Sequence, residues 1–270
     1  YTKEYMEKDL PMLPVTQEEM DAQPETLHSF RERLTQRFAD SIAFDPNASE
    51  ASRKLQRAYY LANVTMIDEQ VGRIMDRLGD TGLLENSVVI FTSDHGECLG
   101  DHGLAEKWTM YDQSVRVPLV VWSPDRFEGN RKVSSLTQWF DIGPTVLELA
   151  GLEPPAKMEA ETLLPFLEKD PEAEEREYVY SEHAKDLMLQ DLDHSLMIRS
   201  KKHKLIEYIG KGNGQLFDLE EDPDELNDVW DSPDYAEVKV KLRRNLSEWF
   251  VTSTVNATGW WKDPAAKATK

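Results

Sequence analysis

The sequence is short of cysteine, of basic residues and of long apolar runs. A single cysteine, Cys98, excludes an internal disulfide, so no cystine framework holds the fold and the redox compartment stays open. The 31 Lys and Arg stand against 51 Asp and Glu, a formal net charge of −20. A chain this acidic repels phosphate backbones everywhere except at a local basic patch, which argues against nucleic acid as a partner. The longest apolar stretches, such as Val117 to Trp122, are too short to cross a bilayer, so no transmembrane segment is expected. No basic n-region or apolar h-region opens the chain at Tyr1, and no targeting signal is readable. The expectation is a soluble protein, with the periplasm and the exterior both open to it.

What is present is globular. Hydrophobic residues make up 40% of the 270 and aromatics 9%, too much for a disordered polyanion. A chain of this length buries roughly three-quarters of its surface on folding. Its first fifty residues carry no strand-turn-helix opening and read as connecting loop, as in the back portion of something longer.

A helix is expected from Ser52 to Leu78, because Leu55, Tyr59, Ala62, Met66, Ile67, Val71, Ile74, Met75 and Leu78 recur every three or four residues. Ser52 is its candidate cap, and Gly79 with Gly82 its stop. Ser87 to Ser93 and Val117 to Trp122 are short, continuous apolar runs rich in β-branched residues, which read as strands buried on both faces. A further helix starts near Asp141, its candidate cap, with Pro144 in the first turn and Gly151 past the end. The order of elements says α/β: part of a large, helix-covered mixed sheet over residues 1–170. Between Glu153 and Glu177 lie nine acidic residues and four prolines, a solvated connector with a short helical piece at most. Residues 171–270 read as a small α+β lobe with an antiparallel sheet. Its strands are Tyr178–Tyr180, Ser195–Arg199, His203–Ile209 and Gln215–Leu219, the last two forming a hairpin, and its helix runs from about Tyr235 to Val251.

The chemistry-bearing segment runs from Thr92 to Lys107. Asp94 and His95 follow directly after an expected strand, where open α/β sheets place ligand-binding groups. Their oxygen and nitrogen donors can chelate a divalent cation. Gly96, Gly100 and Gly103 let the backbone approach a ligand, and Lys107 offers a point charge to an oxyanion. On residue chemistry alone a capped turn and a solvated lysine are the commoner accounts, and Glu97, Asp101 and His102 can equally be surface loop.

The run FTSDHGECLGDHGLAEKWTMYDQSVRVPLVVW resembles the sulfatase family of the alkaline-phosphatase-like superfamily. So do YYLANVTMIDEQVGRIMDRLGDTGLLENSVVIFTSDHGE before it and WFDIGPTVLELAGL after it, and HKLIEYI and QLFDLEEDPDELND resemble that family's C-terminal lobe. The resemblance runs in order from Arg57 to about Asn227. It implies that Asp94 and His95 are ligands of one divalent metal, calcium first, with magnesium or manganese as alternatives. Lys107, thirteen residues after Asp94, inherits a sulfate-binding role. His102 is carried as a candidate catalytic residue, loop support being the better account of it. Arg116 is expected as a structural residue pairing beneath the site, and Glu97 and Cys98 are assigned nothing.

The family's nucleophile is a formylglycine made from Cys or Ser in a Cys/Ser-x-Pro-x-Arg motif. Cys98 is followed by Leu-Gly-Asp, and Ser123-Pro-Asp-Arg126 is one residue too compact. The expectation is therefore a C-terminal portion of a formylglycine sulfatase, with the nucleophile and the remaining metal ligands in a missing N-terminal part. Its partner would be a sulfated small molecule or glycan. The alternatives are a phosphonate monoester or phosphodiester hydrolase of the same superfamily, or a non-catalytic remnant or binding module.

Four further features bear on surface reading. The basic run Arg199 to Lys204 is expected on an edge strand. The acidic run Asp218 to Asp234 is expected as solvated loop. Asn47, Asn63, Asn245 and Asn256 stand in Asn-x-Ser/Thr sequons, of which Asn63 and Asn245 fall in expected helices. Trp139, Trp260 and Trp261 are candidate sugar-stacking residues, core or cap packing being the commoner use.

Overall fold

The computed structural model describes residues 1–37, 48–185 and 188–258; Asn47, Trp260 and Trp261 lie outside them. The opening residues, expected as connecting loop, form α1 (Thr2–Met6), α2 (Gln17–Ala22) and α3 (Glu25–Arg37). Thr16 caps α2 by accepting the Glu19 N–H at 3.1 Å. Along α3, Leu27, Phe30 and Leu34 are spaced three and four apart, and all are buried. That narrow stripe is enough to dock a helix whose other positions are polar.

The long helix α4 spans Glu50–Asp80, and its cap is Ser49 rather than Ser52. The Ser49 hydroxyl accepts the Ser52 N–H at 3.2 Å, so Ser52 is a donor within the first turn. Gly82, at φ +70°, follows the C-terminal turn as expected. Of α4 only Ala58 and Ala62 are buried, while Tyr59, Val64, Met66, Ile67 and Ile74 face outward.

Strand β1 (Val89–Thr92) pairs antiparallel with β2 (Leu119–Trp122), Phe91 opposite Val120 and Thr92 opposite Leu119. The short helix α5 (Asp112–Val115) lies between them. The expectation of strands covered on both faces is corrected here: Phe91 is 46% and Val120 54% exposed, because no helix among the described residues lies over that paired row.

Helix α6 (Ile142–Leu149) begins where expected, with Pro144 in its first turn and Gly151 (φ +74°) past its end. Asp141 does not cap it by side chain. Its carboxylate accepts the N–H groups of Gln138 (2.8 Å) and Glu161 (3.1 Å) and pairs with Arg176 at 2.8 Å, tying the acidic connector back to the body. The connector contains one short helix, α7 (Leu164–Glu168).

The remaining strands, β3 (Val179–Ala184), β4 (His194–Arg199), β5 (His203–Ile209) and β6 (Asn213–Asp218), form an antiparallel sheet in sequence order, closed by α8 (Ala236–Thr258). Period-two alternation gives this sheet two apolar faces. Ile198, Leu205 and Leu216 lie side by side and pack with Leu242 and Leu246 of α8. Met197, Ile206, Tyr208 and Phe217 point the other way, against α3 and residues 98–111. No helix among the described residues is long and apolar enough to cross a membrane.

Two surface expectations fail in this sheet. The basic run forms the β4–β5 turn and enters an interior strand, and Lys204 is completely buried rather than on an edge. In the acidic run, Asp222 and Glu225 are buried as well.

Candidate functional site

Asp94 and His95 sit directly beyond β1 and line a groove of about 1850 Å³, as do Lys107, Trp108, Arg116 and Trp139. The Asp94 side chain is 74% exposed, its Oδ2 lying 3.6 Å from His95 Nε2. His95 Nδ1 is 2.7 Å from the Gly96 carbonyl oxygen. A carbonyl can only accept, so Nδ1 carries the proton and Nε2 presents a lone pair. The Lys107 ammonium donates to that lone pair at 2.8 Å. Asp94, His95 and Lys107 therefore meet at one point.

The local chain path explains the meeting. Gly96 lies against α5: its N–H donates to the Ser114 carbonyl at 2.8 Å, and a Cβ there would stand 2.0 Å from the Gln113 carbonyl oxygen. The Ser114 hydroxyl in turn donates to the Lys107 carbonyl at 2.5 Å. Between these anchors the loop doubles back, with Leu99, His102 and Glu106 all at positive φ. The Glu97 carboxylate accepts the N–H groups of Leu99 (3.3 Å) and Glu106 (2.6 Å). Burial, with the Glu97 charge beside it, pushes the Glu106 carboxyl above the usual carboxylate range. Cys98 lies wholly inside, and burial pushes its thiol up to about 12.

Below the site a buried charge cluster joins this loop to the C-terminal sheet. Lys204 donates to the Met110 carbonyl at 3.0 Å and to Asp112 at 2.5 Å, and pairs with Glu225. Glu225, at φ +58°, also accepts the Asp112 N–H at 2.7 Å, and Arg199 reaches Asp112 at 3.2 Å. Beside it, Gln215 accepts from the Tyr208 hydroxyl and donates to the Tyr111 hydroxyl, both at 2.8 Å. Sequence reasoning missed this floor, although the alternation Lys204, Ile206, Tyr208 already placed the lysine on the inward face.

His102 lies elsewhere. Its ring is completely buried, 2.7 Å from Glu19 and 3.2 Å from Gln113, and stacks on Tyr111 with centroids 3.9 Å apart. Asp101 is likewise buried and pairs with Arg57 of α4. These residues staple the loop to α2 and α4 and are not surface residues. The Gly103 turn is equally close-packed, since a Cβ there would meet Met20 Sδ at 2.4 Å. Arg116 pairs with Asp112 of the buried charge cluster at 3.8 Å, as expected of a structural residue, although its own side chain is 73% exposed.

The donor set fits part of a metal site. Asp94 offers a hard anionic oxygen and His95 a nitrogen lone pair on the same open side. Among the described residues no third His, Cys, Asp or Glu joins them. A cation on His95 Nε2 would displace the Lys107 ammonium from that lone pair, leaving the lysine free to bind an anion alongside.

Residues 100–251 match the family described as N-sulphoglucosamine sulphohydrolase, C-terminal, and residues 26–152 match the family described as Sulfatase. The chain is 30% identical over 192 residues to the N-acetylglucosamine-6-O-sulfatase of Bacteroides thetaiotaomicron, a match covering 70% of this chain and 34% of that protein. A protein solved with its substrate D-glucosamine-2-N,6-O-disulfate superposes with a TM-score of 0.71 at 25% identity, over 88% of this chain and 49% of the other. The phosphonate monoester hydrolase of Silicibacter pomeroyi superposes with a TM-score of 0.77 at 25% identity, over 93% and 51%. The chain thus spans about a third of the length of this curated relative and about half of these solved chains.

Proposed function

The chain belongs to the sulfatase family of the alkaline-phosphatase-like superfamily, and from that premise we propose that it supplies one side of the active site of a sulfuric ester hydrolase. The observation that carries this reading is the convergence of Asp94, His95 and Lys107 at the end of β1. Asp94 and His95 would hold a divalent cation, calcium first, with magnesium or manganese as alternatives. Such a cation supplies positive charge against the sulfate oxygens and lowers the pKa of the nucleophile. The formylglycine nucleophile and the remaining ligands would belong to a part of the protein outside these 270 residues, since Cys98 is buried and stands in the wrong motif.

This chain's own contribution is orientation and charge. The Gly96 carbonyl holds His95 in the tautomer that leaves Nε2 with a lone pair beside Lys107 and Asp94. Lys107, freed from Nε2, would grip a non-bridging sulfate oxygen. The substrate class is a sulfated small molecule or glycan. A second reading, a phosphonate monoester or phosphodiester hydrolase, is favoured by the likeness to the Silicibacter pomeroyi enzyme, and the same three residues suit either tetrahedral oxyanion.

The test uses the complete enzyme and an aryl sulfate. Lys107→Ala is expected to lower turnover by about 10²–10³, or roughly 2.7–4 kcal/mol, the usual cost of one preorganised oxyanion contact. An unchanged turnover number would remove Lys107 from the site. Asp94→Asn should lose metal, and a variant that kept stoichiometric metal would remove Asp94. Comparing aryl sulfate with an aryl phosphonate monoester separates the two readings.

A further inference from the structure

We infer that Glu97, to which the sequence assigned nothing, is a positioning residue for Lys107; the inference rests on the reading of Lys107 as an oxyanion grip. Lys107 is separated from His95 by a loop of eleven residues, yet its ammonium must arrive at one side of the imidazole. The residue before it, Glu106, has φ +62°, a conformation that a non-glycine residue keeps only when its surroundings impose it.

The surroundings here are two consecutive residues. Glu97 Oε1 accepts the Glu106 N–H at 2.6 Å, and the Cys98 N–H donates to the Glu106 carbonyl at 3.1 Å. Both sides of Glu106 are thus bound by the chain that leaves His95 and Gly96. Glu97 also accepts the Leu99 N–H at 3.3 Å, fixing the outgoing limb of the loop with the same oxygen. On the far side, Ser114 holds the Lys107 carbonyl. A carboxylate accepting a backbone N–H makes a charge-assisted bond, stronger than a neutral one. Glu97 therefore short-circuits the loop: the lysine backbone is referenced to the histidine through three residues instead of through the whole excursion to Asp101 and His102.

Two measurements test this. In amide hydrogen exchange, Glu97→Ala should speed exchange at the Glu106 and Leu99 amides, and Glu97→Gln, which keeps an acceptor oxygen, should restore most of the protection. Unchanged exchange in Glu97→Ala overturns the proposal. In the complete enzyme with 4-nitrophenyl sulfate, Glu97→Ala should lower kcat/KM by about tenfold to a hundredfold, the scale of a misplaced catalytic contact. Metal content should be unchanged. In a Lys107→Ala background the same substitution should cost less than about threefold, because the two act as one unit. A full multiplicative loss in that background, or a loss of metal, overturns the proposal. If Lys107→Ala alone leaves turnover intact while the exchange result holds, the oxyanion reading has failed and the link from Glu97 to Glu106 stands.

Discussion

Replacing Lys204 by methionine is the sharpest test of how the site is held. The lysine is completely buried, and its ammonium serves the Met110 carbonyl, Asp112 at 2.5 Å and Glu225. Methionine keeps most of the stem but leaves Glu225, itself buried, without its counter-charge. Breaking one partner out of a buried pair costs about 3–5 kcal/mol, because the remaining charge is stranded. At roughly 2–4 °C per kcal/mol for a body of this size, the midpoint should fall by about 6–20 °C.

The pH dependence has a definite sign. Burial raises the Glu225 carboxyl above its ordinary range, with Lys204 pulling it back. Burial also acts to raise Asp112, but Lys204 and Arg199 bring it below its ordinary value. Without Lys204 both carboxyls move up. A carboxyl raised in the folded state contributes stability that is complete below its unfolded pKa and is lost as pH rises through the folded value. The deficit of Lys204→Met should therefore be largest near neutrality and shrink on acidification toward the unfolded carboxylate range. Urea unfolding followed by tryptophan fluorescence at pH 7 and pH 5 measures this, with Lys204→Met/Glu225→Gln expected to recover part of the loss. A deficit under about 1 kcal/mol at pH 7, the size of an average point substitution, would refute the reasoning, as would a deficit that grows at pH 5.

The opening helices give a second test: Phe30→Ala, at a completely buried position, should cost about 3–5 kcal/mol in the same unfolding assay, whereas a loop residue would cost almost nothing. Cys98, with its thiol pushed up to about 12, should be thiolate in only about one molecule in 10⁴ at pH 8; iodoacetamide should label it only in denaturant, and stoichiometric labelling of the folded protein would contradict its burial. Gly96→Ala places a methyl 2.0 Å from the Gln113 carbonyl oxygen, so it should destabilise by about 1–3 kcal/mol and lower aryl sulfate turnover in the complete enzyme; a fully active, equally stable variant would mean the Gly96–Ser114 contact does not shape the site.

Where the sequence carried a strong period, it carried the fold. The β5–β6 hairpin and the Leu242–Leu246 stripe of α8 were legible because alternation and helical spacing coincide with burial there. α3 was not, because three buried apolar residues among ten polar ones leave a weak pattern that only the facing apolar sheet makes decisive. The apolar runs of β1 and β2 reported strand correctly but said nothing of what covers Phe91 and Val120. At the site, the order Asp94, His95, Lys107 was readable. Glu97, Ser114 and Lys204 were not, since their parts depend on where the backbone turns back on itself and on which face of a strand a charge occupies. Lys204 shows the trap: within a basic run its charge reads as surface, although its neighbours at two-residue spacing, Ile206 and Tyr208, are apolar and buried.

The interior face of the four-stranded sheet has one more consequence, for dissecting the molecule. Met197, Ile206 and Phe217 press on Phe30, Leu104 and Tyr111, and the Tyr111–Gln215–Tyr208 bonds run through the same contact. The acidic connector between residues 153 and 177 is therefore a seam in the polypeptide but not in the solid. A protease that nicks it should release no fragment under native conditions, and the two pieces should travel together until the shared interior is opened.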